Sequence, residues 1–148
     1  MAKKETYDID ESYGWLMATA AQQLRHRLTE KFGETGLDIS AEQWTVMLRL
    51  WNEDGISQQF LANRIRRSKV AVFKLIEGLE KKGLVIRKPH PDDGRSKQVF
   101  LTPTGKEIQG TLNRAAKENL AEAAQGVTEN ELEIFKDVLR RLIINMCN

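Results

Sequence analysis

Apolar residues return every three or four positions along most of this chain, the spacing that places them on one face of an α-helix. The pattern begins at Tyr13, Leu16 and Met17 and continues for about six turns. Ser40 and Thr128 each precede a glutamine or glutamate by three positions, which is the signature of a capping box. The predicted helices span about 11–32, 40–51, 57–65, 68–82, 103–125 and 128–146.

The helical spacing is interrupted once, after Gly83, a residue suited to the left-handed position that follows a helix end. Residues 84–88 and 98–101 are β-like, and Pro89, Pro91 and Gly94 between them require a loop. Thr102 and the proline after it then mark a new helix start. A helix followed by a small hairpin with an arginine at its tip is the plan of a winged helix, which binds DNA.

The terminal helices are long, and little of the chain between them is left to cover their apolar faces. Such helices usually pack against each other or against a second copy of the chain. We therefore expect a homodimer, with a monomeric six-helix domain as the alternative. At 148 residues the chain is expected to form one domain (1–148), with dimerisation helices over 11–34 and 103–146 and a DNA-binding lobe over 40–101.

Charge is distributed unevenly, although the net charge is only +2. Residues 56–101 contain eleven basic and four acidic residues, a net +7, whereas the rest has twelve basic and seventeen acidic residues, a net −5. A basic middle in an acidic frame indicates a surface that binds a polyanion. The alternative is an ordinary solvated face.

Several functional classes find no support in the sequence. The chain lacks a run of about 18 apolar residues, so no membrane span is expected, and its start does not resemble a signal peptide. The single cysteine, Cys147, excludes an internal disulfide and fits a reducing cytoplasm. His26 and His90 have no ligand-spaced neighbours, so neither a metal nor a cofactor is expected. No nucleophile–base arrangement or Gly-rich phosphate loop indicates an enzyme.

Five segments together carry a family resemblance, in order and over nearly the whole chain. In this sequence they are Ser40–Trp44, Leu61–Ala62, Leu79–Arg87, Pro91–Arg95 and Val99–Gly105. They resemble the multiple-antibiotic-resistance regulator (MarR) family of bacterial transcription factors. The resemblance implies a mainly α fold with a small β-hairpin wing, in which a winged helix-turn-helix lobe stands on a helical dimerisation platform. It also implies a dimer that binds double-stranded DNA at a pseudo-palindromic operator, most often as a repressor.

On this reading the fourth helix enters the major groove. Lys74 is expected to reach a guanine edge or a phosphate, and Val70, Ala71 or Phe73 a thymine methyl group. Phe73 departs from the small polar residue common there in the family, so it faces either DNA or the core. The expected DNA-binding residues are Arg66, Arg67, Ser68, Lys69, Val70, Ala71, Phe73, Lys74, Lys88, Asp93, Arg95 and Lys97.

In the wing, Arg95 is expected to enter a narrow, A·T-rich minor groove, where the negative potential favours a guanidinium group. Asp93 resembles the family's aspartate that holds this arginine in place, and it can also stabilise the turn. Family members often have two adjacent arginines here, but this chain has Gly94 at the first position.

The resemblance also implies a small aromatic or amphipathic effector that binds between platform and lobe. Candidate lining residues are Trp15, Met17, Trp44, Met47 and Trp51, although such a stripe at helical spacing is often plain core. The alternative function is a winged-helix interaction or structural module that does not bind DNA specifically.

Overall fold

The computed structural model describes residues 2–147, so the first and last residues of the predicted domain lie outside the described part. Within it the chain is mainly helical, with a small three-stranded antiparallel sheet, and the predicted fold class is confirmed. In chain order the elements are α1 (Tyr13–Glu34), α2 (Ala41–Asn52), β1 (Ile56–Ser57), α3 (Gln58–Ile65), α4 (Lys69–Lys81), β2 (Val85–Pro89), β3 (Lys97–Leu101), α5 (Pro103–Glu107), α6 (Gln109–Ala123) and α7 (Glu129–Met146).

Hydroxyl side chains cap the N-termini of the described helices other than α6. Ser57 and Ser68 accept hydrogen bonds from the third backbone N–H group of α3 and α4. Ser40 and Thr128 form complete capping boxes at α2 and α7. Each cap satisfies a backbone donor that has no partner within its helix, so the helix starts are encoded locally.

The sheet has one strand more than the sequence predicts. The hairpin of β2 and β3 pairs Arg87 with Val99 and Val85 with Leu101. The short strand β1 adds to the other edge of β3, where Ile56 pairs with Val99. Two residues cannot show an alternating pattern, so β1 is defined only by its pairing with β3.

The predicted fifth helix is two helices. The chain leaves α-helical geometry as a turn at Ile108, whose side chain is buried. Before this break α5 packs on the sheet, and after it α6 packs along α1. One continuous apolar stripe therefore serves two different contacts, which is why helical spacing alone did not reveal the break.

One hydrophobic core joins the winged-helix region to the terminal helices. Phe32 of α1, Leu112 of α6 and Met47 of α2 lie in the same cluster as Leu61 and Ile76 of the helix-turn-helix. In α3, Leu61 is fully buried, whereas the neighbouring phenylalanine is exposed.

No side chain of the last helix, α7, is fully buried in the described chain. Its apolar stripe includes Phe135, Val138 and Ile143, all of which are exposed. The N-terminal part of α1 likewise exposes Tyr13 and Leu16. Among the described residues no helix has the length and apolar character needed to cross a membrane.

Candidate nucleic-acid interface

The predicted recognition helix is α4, and its position follows from its apolar face. Val72, Ile76 and Leu79 are buried in the core, so the remaining faces point outward. The preceding turn is tight because Arg66 adopts a left-handed conformation (φ 58°) and caps α3. Ser68 then caps α4 by accepting a hydrogen bond from the Ala71 amide at 3.1 Å.

The outward residues of α4 lie on two adjacent parts of its surface. Val70, which is 67% exposed, lies four positions before Lys74 on one face. Lys69 and Phe73, also four positions apart, both line a cleft toward the wing. Ala71 is half-buried beside the core face.

The cleft between recognition helix and wing tip has a volume of about 320 Å³. It brings together five of the predicted DNA-binding residues from two separate segments. Its lining residues are Gln58, Gln59, Lys69, Phe73, Asp93, Arg95, Ser96 and Lys97. Gln58 and Gln59 were not among the residues expected from the sequence. The signal that points to them is their position directly after the cap of α3, where the first turn presents unpaired backbone donors.

Local hydrogen bonds from the backbone and side chain of Asp93 hold the wing turn. The Asp93 carboxylate accepts a hydrogen bond from the Arg95 amide at 3.0 Å, and the Ser96 amide donates to the Asp93 carbonyl at 3.0 Å. No ion pair between Asp93 and the Arg95 guanidinium occurs among the described residues. Asp93 therefore stabilises the turn through the Arg95 amide, and its role toward the Arg95 side chain stays a prediction. Lys88, on β2, places its ammonium group 5.3 Å from the centre of the Phe100 ring.

The exposed cations of this surface are not neutralised by the chain itself. Within residues 2–147, Arg67, Lys69, Lys74, Arg95 and Lys97 form no ion pair. A cluster of uncompensated positive charge around a cleft attracts an anionic polymer.

Arg87 is the exception in this basic region because it is paired. Its Nη2 and Nε atoms donate to the two carboxylate oxygens of Glu80, at 2.9 and 3.3 Å. The hydrogen bond from the guanidinium holds the pKa of Glu80 below its usual range, and the carboxylate raises the pKa of Arg87. The excess charge of the lobe is therefore carried by other residues.

The two turn arginines have different surroundings. Arg66 donates from Nη1 to the Sγ atom of Cys147 at 3.1 Å, so it contacts the end of α7. Arg67 lines a pocket of about 270 Å³ at the junction of α1 and α2 with the helix-turn-helix.

The five predicted effector-binding residues have different surroundings in the chain, and their role stays a prediction. Met47 is fully buried core, and Trp51 donates from Nε1 to the Gly105 carbonyl at 2.9 Å, a structural bond. Trp15 and Met17 lie near the start of α1, and Trp15 is about 15 Å along the helix axis from Arg25, the first α1 residue that lines the pocket.

Of the five, the pocket includes Trp44, whose Nε1 donates to the Asn113 side chain at 3.1 Å. The pocket is lined by Arg25, Leu28, Ala41, Glu42, Trp44, Thr45, Ile65, Arg67 and Leu75. Among residues 2–147 there is no group of three or more metal-binding side chains.

Known proteins are similar to this chain in both sequence and architecture. The MarR family model matches residues 39–97. SarZ of Staphylococcus saprophyticus, an HTH-type transcriptional regulator, is 30% identical over 121 residues, which cover 82% of each chain. A probable transcriptional regulator from Pseudomonas aeruginosa superposes with a TM-score of 0.83 at 26% identity, covering 91% of this chain and 99% of that one.

S. aureus MepR, whose structure was solved as a DNA complex, shares the fold with a TM-score of 0.82 at 24% identity, over 90% of this chain and 98% of MepR. The relatives are thus named as transcriptional regulators. Because SarZ is similar over most of its length and the family model matches the helix-turn-helix and wing, this chain belongs to the MarR family of winged helix-turn-helix transcriptional regulators.

Proposed function

We propose that this protein is a sequence-specific DNA-binding regulator that acts as a dimer, most simply as a repressor. One observation carries the proposal: α4 and the wing tip present unpaired cations around the same cleft, with Lys69 on one side and Arg95 and Lys97 on the other. A recognition helix and an adjacent wing arranged in this way engage the major groove and the neighbouring minor groove of one duplex.

The residues of the interface divide by role. Val70 and Lys74, on the outward face of α4, suit contact with base edges, since an apolar group meets a thymine methyl and a lysine meets guanine. Arg67, Lys69 and Lys97 suit phosphate contacts, which fix register without reading sequence. Ser68 is placed at the N-terminus of α4, where a backbone that carries partial positive charge favours a phosphate.

A dimer is needed to bring two such DNA-binding lobes to one pseudo-palindromic site. The predicted lobe over 40–101 includes α2 to β3, and the predicted platform over 11–34 and 103–146 includes the exposed apolar stripes of α1 and α7. A two-fold dimer formed through these stripes would present two recognition helices to a pseudo-palindromic site.

The proposed place for a small-molecule effector is the pocket that contains Trp44 and Arg67. Trp44 supplies an aromatic surface, and Arg25 and Arg67 supply positive charge. Because Arg67 belongs to the helix-turn-helix, a molecule bound here would change the surroundings of a proposed phosphate contact. A thermal-shift screen of aromatic acids, compared between the wild type and Trp44→Leu, tests this part of the proposal.

The main test is selection of binding sites from a random-sequence DNA library, followed by a gel shift at several salt concentrations. We expect an enriched pseudo-palindrome, and a log–log slope of affinity against salt of about −5 to −9 if roughly six to ten phosphates are contacted. A matched duplex with a scrambled sequence provides the control. If the wild type enriches no sequence and shifts neither duplex at micromolar concentration, the proposal is wrong and the interaction-module alternative is favoured.

A further inference from the structure

Arg87 differs from the basic residues around the cleft because its side chain is turned inward, with 14% of its surface exposed. Its guanidinium donates two hydrogen bonds to the carboxylate of Glu80 and a third, at 3.4 Å, to the Oε1 atom of Gln58. A guanidinium that is already engaged in a bidentate pair is poorly placed to bind a phosphate as well. Its position in the basic lobe therefore calls for another role.

The same guanidinium lies over the ring of Phe73, 5.2 Å from its centre. Phe73 and Glu80 are seven residues apart in α4, so they lie on one face, two turns apart. Arg87, from strand β2 of the wing, thus holds the recognition helix at two points, and Gln58 ties the same group to α3. Since Arg87 is engaged on both sides, it couples the wing to the recognition helix.

Phe73 connects Arg87 to the cleft, because it contacts the Arg87 guanidinium and also lines the cleft. Its ring is 42% exposed and lines the cleft together with Arg95 and Lys97. The guanidinium restrains the ring by an electrostatic contact with the aromatic face. A ring in the major groove can distinguish a thymine methyl group from other base edges only if its position is defined.

We propose that Arg87 is a positioning residue that sets the placement of Phe73 between recognition helix and wing, and thereby the sequence specificity of the protein, without touching DNA. The proposal rests on the DNA-binding function proposed above. It predicts that loss of Arg87 weakens binding to the selected operator but leaves the non-specific, salt-dependent attraction to DNA intact.

The test compares Arg87→Gln with the wild type on the duplex selected from the library and on its scrambled counterpart, across salt concentrations. Operator affinity should fall about tenfold, while affinity for the scrambled duplex and the salt slope stay unchanged. Lys88→Gln gives the contrast, because Lys88 is exposed on the neighbouring position of the same strand. It should weaken binding to both duplexes and reduce the salt slope by about one.

A second comparison tests whether Arg87 acts through Phe73. The double variant Arg87→Gln with Phe73→Leu should bind the operator no more weakly than Phe73→Leu alone, since the ring is then no longer there to be placed. Circular dichroism and thermal melting report whether each variant is folded. If Arg87→Gln does not fold, Arg87→Lys, which keeps the charge but loses the two-pronged hydrogen bond, takes its place and should show the same loss of specificity.

Three results would overturn the proposal. Equal losses on both duplexes with a smaller salt slope would make Arg87 a phosphate contact. If the losses of operator affinity caused by Arg87→Gln and Phe73→Leu were additive in the double variant, the two residues would act independently. If a folded Arg87 variant kept the wild-type preference for the operator, the role of Arg87 would be purely structural. A wild-type protein that selects no sequence would instead overturn the proposed function itself.

Discussion

Arg95 and Gly94 stand side by side at the tip of the wing. The sequence predicts a turn here because prolines and a glycine interrupt two β-like segments, and in the structure β2 ends at Pro89 and β3 begins at Lys97. The chain's local pattern did not reveal that Asp93 binds the backbone amide of Arg95. That bond depends on how the turn closes, and a sequence with several adjacent polar residues permits more than one closure.

The first prediction is that Arg95→Ala weakens operator binding by about 1–3 kcal/mol, because the minor-groove contact is removed. The turn itself should survive, since its hydrogen bonds use the backbone of residue 95. Gel-shift titration measures the loss, with Arg114→Ala on the exposed side of α6 as a matched removal of charge. Equal affinity of Arg95→Ala and wild type across salt concentrations would contradict the assignment of the wing tip.

The second prediction concerns Gly94, where family members often have an arginine. A Cβ atom built at Gly94 meets nothing within 4 Å, and the residue does not have the left-handed φ that would require glycine. Gly94→Arg should therefore bind the operator more tightly, with a salt slope steeper by about 0.9 for one added phosphate or groove contact. Gly94→Gln controls for side-chain size. A weaker or unchanged affinity of Gly94→Arg would show that the tip does not approach DNA.

At the scale of elements, most helices are predictable because their starts are marked by caps and their buried faces by spacing. The division of the fifth predicted helix is different, since Thr102, Gly105 and Ile108 act through contacts with other elements. The Thr102 hydroxyl donates to the Gly83 carbonyl and accepts from the Gly105 amide. Gly105 in turn lies so close to the residue before β2 that a Cβ atom there would overlap the Leu84 carbonyl oxygen. This close approach involves residues about 20 positions apart, so local pattern could not predict it.

The third prediction follows from that approach. Gly105→Ala should destabilise the fold, because the backbone of β2 or α5 must shift to admit a methyl group. Gly110→Ala in α6, where a Cβ meets nothing within 4 Å, should instead be neutral or stabilise by about 0.5–1 kcal/mol through helix propensity. Urea unfolding of both variants measures the contrast. A Gly105→Ala variant as stable as Gly110→Ala would mean that the packing of α5 on the sheet is loose.

At the scale of the whole molecule, helices α1 and α6 of the platform are joined by both apolar and charged contacts. Arg27 and Lys31 of α1 bind the carboxylate of Glu122 in α6 at 2.7 and 2.8 Å. Lys31 lowers the pKa of Glu122 by hydrogen bonding to it, and Glu122 raises the pKa of Lys31 in the same way. These residues are more than 90 positions apart, so the pairing was not predictable from the sequence.

The fourth prediction is the pH dependence of this contact. A carboxyl group whose pKa is lowered on folding contributes stability above its ordinary value of 4.5, and that contribution is lost as the pH falls through the lowered pKa. Glu122→Gln should therefore melt below the wild type near pH 7, and the difference should shrink toward pH 3. Glu107→Gln, at an exposed carboxylate of α5, is the control. A difference between Glu122→Gln and wild type that is the same at both pH values would contradict the assignment.

The fifth prediction concerns the dimer. Val138→Glu places a charge in the exposed apolar stripe of α7 and should convert the protein to monomers, since burying an unpaired charge in an apolar interface is unfavourable. Arg140→Glu, on the opposite face of α7, should leave the assembly unchanged. Sedimentation at micromolar concentration gives the mass of each. A monomeric wild type, or a dimeric Val138→Glu, would show that α7 is not the interface.

By itself, the sequence determined the features that depend on neighbours along the chain: the helix starts at capping residues, the wing with its turn, the basic middle segment and the family. Those features follow from hydrogen bonds and periodicities that span only a few residues. The tertiary structure alone decided that β1 joins the sheet, that a helix breaks at Ile108, that the candidate effector residues separate, and that Arg87 turns inward onto Glu80 and Phe73. Each of these depends on contacts between segments far apart in the chain, where packing and pairing select one arrangement among several that the local pattern allows.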